Sequence, residues 1–395
     1  MKPEICIVGG CGHVGLPLGL AFADQGKSVV LYDLNQASVD KINKGVIPFM
    51  ENGAEVILKK VLKSKRLEAT SDAKVISQAK TVVMVIGTPV DEHLNPKVHE
   101  ILTAIKEIED YLSHDQLLVL RSTLYPGITD KVYDYLQSQN KRTLVAFCPE
   151  RIAEGHALEE LYTLPQIVAG CSEEATKQAS QLFKTLAKKI IVTKPIEAEL
   201  GKLFTNTWRY INFAISNQFY MIANSRGLDF YNIYSAMTED YPRLKAFAKA
   251  GLAAGPCLFK DTMQLSSFSG NDFFLGHSAM LINEGLPDFI VESMKQKHEL
   301  GRQTVGILGM AFKGNSDDPR ESLSYKLKKK LEIEAKHVLC HDPYVKDDRF
   351  VSLDKIRKEA DMIVLATPHS VYANEKWGNK IMIDMWNFYG EGGLV

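Results

Sequence analysis

Ile5-Cys6-Ile7-Val8-Gly9-Gly10-Cys11-Gly12-His13-Val14-Gly15-Leu16-Pro17 sets an apolar run against a glycine-rich turn, with a helix-competent segment after it. Four successive apolar residues suit a strand buried on both faces of a parallel sheet. The pattern Gly10-x-Gly12-His13-Val14-Gly15 at a strand-to-helix junction lets backbone N–H groups approach a pyrophosphate at a helix N-terminus. Asp33 closes the next apolar run, at about the 20-residue spacing expected for a carboxylate on ribose hydroxyls. A carboxylate there repels a 2′-phosphate and no Arg follows it closely, so the loop predicts NAD over NADP.

The alternation continues outward. Runs at 28–32, 81–86, 117–120, 144–147, 166–169 and 190–192 read as strands, with helix-period segments between them. Right-handed crossovers and a parallel sheet follow. From 196 to 226 strand signals stop, and Leu200, Leu203, Phe204, Tyr210, Ile211, Ala214, Ile215, Phe219 and Ile222 predict one helix of roughly 30 residues with a packed apolar stripe. A second βα series opens at Thr304-Val305-Gly306-Ile307-Leu308-Gly309. There Val338-Leu339-Cys340-His341-Asp342 echoes Val29-Val30-Leu31-Tyr32-Asp33, and the run ending Thr367-Pro368 echoes Gly87-Thr88-Pro89. The expected fold is α/β: two Rossmann-like, doubly wound parallel-sheet domains, 1–195 and 301–395, joined by a long central helix within a helical domain, 196–300.

Composition narrows the function class. The 395 residues carry 47 Lys+Arg and 48 Asp+Glu, a formal net charge of −1, so no basic footprint for nucleic acid is expected. No stretch of about 18 apolar residues suggests a membrane span. The N-terminus enters a strand and does not follow a signal-peptide pattern. Six scattered cysteines without a CxxC pair argue against a disulfide framework or a metal site, and a reducing cytoplasm is the default. Lys326, Lys328, Lys329 and Lys330 read as a solvated helix face.

Thr88, the pair Ser122-Thr123 and the turn Pro149-Glu150-Arg151-Ile152-Ala153-Glu154-Gly155 all fall where strands should end, the edge that lines the ligand crevice of a doubly wound sheet. Lys202 and Asn206, four apart, share a helix face. Ala254-Gly255-Pro256-Cys257-Leu258-Phe259-Lys260-Asp261 presents a cysteine beside an ammonium, and a thiolate is the form that attacks a carbonyl. A lone cysteine is ordinarily a small buried hydrophobe; the company it keeps here shifts that reading. His277 reads as a structural histidine.

With Ala311-Phe312-Lys313-x-Asn315-Ser316-Asp317-Asp318-x-Arg320-Glu321-Ser322, these motifs span nearly the whole chain, and together they resemble the UDP-glucose/GDP-mannose dehydrogenases. The resemblance implies a four-electron, NAD-dependent oxidation of the C6 hydroxyl of a nucleotide-linked hexose. Cys257 would capture the aldehyde as a thiohemiacetal and then carry a thioester. Lys202 and Asp261, with a water near Thr123 and Asn206, would handle the C6 proton; Lys202 and Asn206 would stabilise oxyanions, and Glu150 would assist hydrolysis. By the same resemblance Thr88, Ser122, Glu154, Lys260 and Arg320 join Gly10, Gly12, His13, Val14, Gly15 and Asp33 around NAD. Arg151, Ile152, Ala153, Glu154 and Lys313 meet the nucleotide-sugar, and Arg243 reaches the substrate of the neighbouring subunit in a homodimer.

Lys260-Asp261 points to UDP-glucose as the first substrate expectation. Glu150-Arg151 is also common among members acting on UDP-N-acetylhexosamines (UDP-ManNAc, UDP-GlcNAc, UDP-GalNAc). Phe259, where proline is common, and Ser38, near where some members place an arginine, depart from the family pattern. A two-electron hydroxyacid dehydrogenase would have no use for Cys257. A catalytically silent NAD-binding regulator would have no use for Cys257, Lys202, Asn206 and Asp261 together.

Overall fold

The computed structural model describes residues 2–395 apart from 89, 92–96, 98, 253, 254 and 394. The chain divides into two compact units, Met1–Thr205 and Asn206–Val395.

The first unit is built on a sheet of β1 (Ile5–Val8), β2 (Val29–Tyr32), β3 (Leu67–Thr70), β4 (Thr81–Met84), β5 (Leu117–Leu120), β6 (Leu144–Phe147), β7 (Gln166–Gly170) and β8 (Ile190–Val192). Their order is β3-β2-β1-β4-β5-β6-β7-β8. The β3-β2-β1-β4-β5-β6 part is the dinucleotide-binding arrangement, parallel throughout, in which the order of the strands reverses beside β1. β1 shows why its run is apolar throughout: Ile5 and Ile7 enter one core cluster, Cys6 and Val8 the cluster on the opposite face. β3 went unanticipated because Leu67-Glu68-Ala69-Thr70 is a short edge strand with Glu68 exposed.

The expected all-parallel sheet needs one correction: β7 runs antiparallel to β6, pairing Ala146 with Gly170 and Phe147 with Ala169. An antiparallel neighbour is reached from the same end of the sheet. The connection through Glu150–Gly155 therefore stays at the carboxyl edge, beside the glycine turn that follows β1.

The second unit holds a parallel sheet, β10-β9-β11-β12, of β9 (Thr304–Leu308), β10 (His337–His341), β11 (Met362–Leu365) and β12 (Ile381–Ile383). Its first three strands repeat the β2-β1-β4 arrangement. Around it pack the helices Phe230–Thr238, Phe274–Lys297 and Leu323–Glu334, and Pro256–Phe268 lies against Phe274–Lys297. In the lysine run on Leu323–Glu334, Lys326 pairs with Glu284, Lys328 with Glu332 and Lys330 with Asp288.

The division between units falls inside the long helix, Pro195–Asn224. Its apolar residues form two stripes where one was expected. Leu203, Tyr210, Ala214 and Tyr220 are buried, whereas Phe204, Trp208, Ile215, Phe219 and Ile222 are each more than 40% exposed. No helix among the described residues is long and apolar enough to cross a membrane.

Candidate active site

The glycine turn is cut to shape residue by residue. Gly9, which the G-x-G-x-x-G reading did not include, takes the positive φ of +74°, and a Cβ there would lie 1.9 Å from the Val85 carbonyl oxygen. Gly15 opens the helix Gly15–Asp24 directly on the turn, so that a Cβ would sit 2.4 Å from the Gly9 oxygen. Gly12 is the opposite case: it is exposed, and a Cβ would meet only the Gly9 oxygen, at 3.9 Å. That helix starts with no side-chain cap and no acidic residue in its first turn. An electropositive helix end, with open space over Gly12, fits the pyrophosphate of a dinucleotide.

Asp33 reaches back to the turn. Its Oδ2 accepts the Cys11 N–H at 2.9 Å and its Oδ1 the Asn35 N–H at 2.9 Å, so the carboxylate is held in place by the loop it serves. His13 stacks on Phe49, ring centroids 4.0 Å apart. Val14 stands at the N-cap in helical geometry.

Along the same edge, the Ser122 Oγ accepts the Ile86 N–H at 2.8 Å, and Thr88 and Thr123 are half-buried. Pro89 lies outside the described residues. Glu150 is buried, with Oε2 against the Arg121 guanidinium. Its Oε1 accepts the N–H groups of Arg151 (2.7 Å) and Ile152 (3.1 Å). The Arg151 side chain donates to the Pro165 carbonyl; burial lowers its pKa, with Glu150 opposing. The Ala153 N–H donates to Glu160 at 2.5 Å, and the Gly155 N–H to Glu51 at 2.9 Å. Glu154 is half-buried in the turn so fixed. Burial raises the pKa of Glu51, against three amide hydrogen bonds that lower it.

Sequence reasoning missed Arg121, Gln166 and Glu51. A signal for Arg121 existed: a charge directly after the buried run Leu117-Leu118-Val119-Leu120 has to find a partner inside. Glu51 carries no such mark.

On the long helix, Lys202 and Asn206 are both buried, one turn apart. Asn206 Nδ2 donates to Asp261 Oδ2 at 2.6 Å, and Lys260 Nζ lies 3.5 Å from Asp261 Oδ1. Asp261 itself is 0% exposed. Its helix, Pro256–Phe268, begins after Gly255 (φ +105°) with Pro256 in the first turn and Cys257 next. Cys257 is exposed. The other five thiols, Cys6, Cys11, Cys148, Cys171 and Cys340, are pushed up to about 12, chiefly by burial. Ala254 lies outside the described residues.

Gly255 also makes room for a neighbour, since a Cβ there would lie 2.6 Å from the Phe312 ring. Phe312 and Lys313 belong to the 309–322 loop after β9. Asp342 fastens that loop: its Oδ2 accepts the Met310 N–H (2.6 Å), the Ala311 N–H (3.1 Å) and His369 Nε2 (3.0 Å). His369 Nδ1 in turn accepts the Asn315 N–H at 2.9 Å, which assigns the proton to Nε2. Burial alone would raise the Asp342 carboxyl; the His369 hydrogen bond and the amides of Val345 and Met310 outweigh it and hold it at about 2. Arg320 Nε and Nη2 grip Asp318 at 2.6–2.9 Å.

Arg243 is exposed, its Nη1 2.9 Å from the Tyr241 hydroxyl, on a cavity of about 170 Å³ lined also by Trp208, Ile215 and Phe247. His277, on the helix Phe274–Lys297, lies 3.4 Å from the Ser266 hydroxyl, in keeping with a structural role.

Three models of the UDP-glucose/GDP-mannose dehydrogenase family match the chain: the NAD binding domain over residues 3–188, the central domain over 196–284 and the UDP binding domain over 306–391. The UDP-N-acetyl-D-mannosamine dehydrogenase of Pyrococcus horikoshii is 31% identical over 97% of this chain and 95% of its own. The solved UDP-D-ManNAc dehydrogenase from the same organism superposes with a TM-score of 0.90 at 30% identity, covering 97% of this chain and 95% of that one. A UDP-glucose dehydrogenase from Pyrobaculum islandicum gives a TM-score of 0.90 at 25% identity, covering 100% and 97%.

Proposed function

This chain belongs to the UDP-glucose/GDP-mannose dehydrogenase family and takes NAD as its cofactor; on that premise we propose that it oxidises the C6 hydroxyl of a UDP-N-acetylhexosamine, UDP-N-acetylmannosamine first, to the carboxylate. The observation that carries the reaction class is Cys257, the exposed cysteine at the start of a helix whose next turn holds Lys260 and Asp261. The N-acetylated sugar is supported by the 31%-identical relative named for it and by Arg151. The first expectation, UDP-glucose, rests on Lys260-Asp261 and on a relative of lower identity, 25%.

NAD, when bound, supplies the acceptor for a hydride at two stages, the alcohol and the thiohemiacetal. Gly10, Gly12, His13, Val14, Gly15 and Asp33 would hold it, with Thr88, Ser122, Glu154, Lys260 and Arg320 as further contacts. Lys202 and Asp261, the latter braced by Asn206, take the proton from the C6 oxygen through a water near Thr123. Cys257 Sγ then bonds to the aldehyde carbon. This addition is what makes a second oxidation possible, since it converts the carbonyl into a carbon that bears both oxygen and a removable hydrogen. Lys202 and Asn206 donate to the oxygen as negative charge gathers on it. Water cleaves the thioester, the C–S bond breaks, and the thiol is restored.

Arg151, Ile152, Ala153, Glu154 and Lys313 would contact the nucleotide-sugar. The exposed stripe Trp208, Ile215, Phe219 and Ile222, beside the Arg243 cavity, supports a homodimer in which Arg243 serves the partner's substrate.

NADH counted per limiting sugar, run to completion with UDP-ManNAc, UDP-GlcNAc, UDP-GalNAc, UDP-glucose and GDP-mannose, tests the whole reading. Two NADH per N-acetylhexosamine is the expected result. Two with UDP-glucose alone would overturn the sugar, and one NADH per sugar would overturn the role of Cys257.

A further inference from the structure

Arg121 is 1% exposed at the end of β5, a full charge placed among strand ends. Its Nε donates to Glu150 Oε2 at 2.9 Å, and its Nη2 donates to the same oxygen. Nη2 also reaches Gln166 Oε1 at 3.1 Å, and Nη1 the Cys148 carbonyl at 3.0 Å. The guanidinium lies over the Phe183 ring, 4.7 Å from its centroid. Glu150 gives its remaining oxygen to the amides of Arg151 and Ile152. One planar cation thus ties the ends of β5 and β6 and the start of β7 to the turn that follows β6. Only a fork of fixed donors satisfies acceptors lying in these different directions; an ammonium on a flexible stem does not.

We infer that Arg121 is the positioning residue of the 150–154 turn, and that Glu150 in this chain sets the backbone of that turn and is not the base that activates the hydrolytic water. Both its oxygens are already engaged, by the guanidinium and by the two amides that lead into Ala153 and Glu154. The inference rests on the proposed function, in which that turn meets the sugar.

Wild-type stoichiometry is measured first, so that failure of the nucleotide-sugar reading shows separately. Steady-state kinetics and intact-mass analysis of Cys257 then follow for Arg121→Lys, Arg121→Met, Glu150→Gln and the double variant Arg121→Met/Glu150→Gln. Each single variant, Arg121→Lys included, is expected to raise KM for the nucleotide-sugar about tenfold or more while still yielding two NADH per sugar and no accumulated thioester. The double variant, which leaves no unpaired buried charge, is expected to outperform Arg121→Met. Thioester accumulating on Cys257 in Glu150→Gln and equally in the double variant, with the sugar KM unchanged, would overturn the inference. Glu150→Gln is nearly isosteric, which keeps that comparison available if Arg121→Met fails to fold.

Discussion

Gly12 and Gly15 lie three residues apart in one turn, yet alanine should fail at them in opposite ways. At Gly12 the new methyl group meets nothing closer than 3.9 Å. Stability should therefore change by no more than about 0.5 kcal/mol, or rise slightly as the unfolded chain loses freedom. The methyl group would, however, occupy the space over the helix end where a pyrophosphate has to come close. Losing one charge-assisted hydrogen bond costs about 1.5–3 kcal/mol, so NAD should bind roughly 10- to 100-fold more weakly. At Gly15 the methyl group would sit 2.4 Å from the Gly9 oxygen and 2.8 Å from the Gly10 Cα, both backbone atoms without a rotamer to escape into. Overpacking of that kind costs about 1–3 kcal/mol or more, a fall in Tm of about 2–4 °C per kcal/mol for a unit of this size. Circular-dichroism melts and calorimetric NAD titrations of both variants make the comparison. A Gly12→Ala protein that binds NAD as the parent does, or a Gly15→Ala protein that melts with the parent, would refute the reasoning.

Cys257→Ser should release at most one NADH per sugar, and iodoacetamide should label Cys257 well before the four buried thiols, Cys6, Cys11, Cys148 and Cys340; equal labelling of Cys148 in the native protein would count against its special status. Asp342 is held at about 2 against an ordinary 3.8, which is worth about 2 kcal/mol. Because the folded-state pKa is depressed, that stability is present above about pH 4 and lost as the pH falls toward 2, and Asp342→Asn should flatten the urea midpoint across that window. A variant with the parent's acid dependence would remove Asp342 from the account. On the proposed homodimer, Ile215→Lys on the exposed helix face should halve the sedimenting mass of the parent and weaken nucleotide-sugar binding as Arg243→Ala does; a mass the same as the parent's would count against a dimer through this face.

Local physics made much of the fold readable. β1, β5, β6 and β8 begin and end where their apolar runs do, and the long helix begins and ends within two residues of its expected 196–226 span. β3 and β12 were invisible, because a three- or four-residue edge strand with exposed positions has too little pattern to stand out. The direction of β7 was also hidden, since a connection of moderate length does not say to which end it returns. The long helix misled for a different reason: periodicity reports that a residue is apolar, not whether this chain or another surface covers it.

At the site, residues with a motif were legible one by one, and their connections were not. Nothing in Asn206 and Asp261, 55 positions apart, announces their 2.6 Å hydrogen bond. Neither does Gly255 foretell the Phe312 ring beside it. Sequence names the groups that do chemistry more readily than the charges that hold them still, such as the buried Arg121 and the half-buried Glu51.

The fastening of the 309–322 loop bears on turnover. Asp342, His369 and Asn315 fix its backbone through the chain's own hydrogen bonds, so on the proposed function, in which Lys313 of this loop meets the nucleotide-sugar, a nucleotide arriving there has little loop entropy left to freeze. On the proposed reaction, oxidation at C6 leaves the nucleotide untouched, and a rigid cradle grips the uronate by the same handle as the sugar. On that reading the uronate is expected to compete with the sugar, and its departure to set the ceiling on kcat.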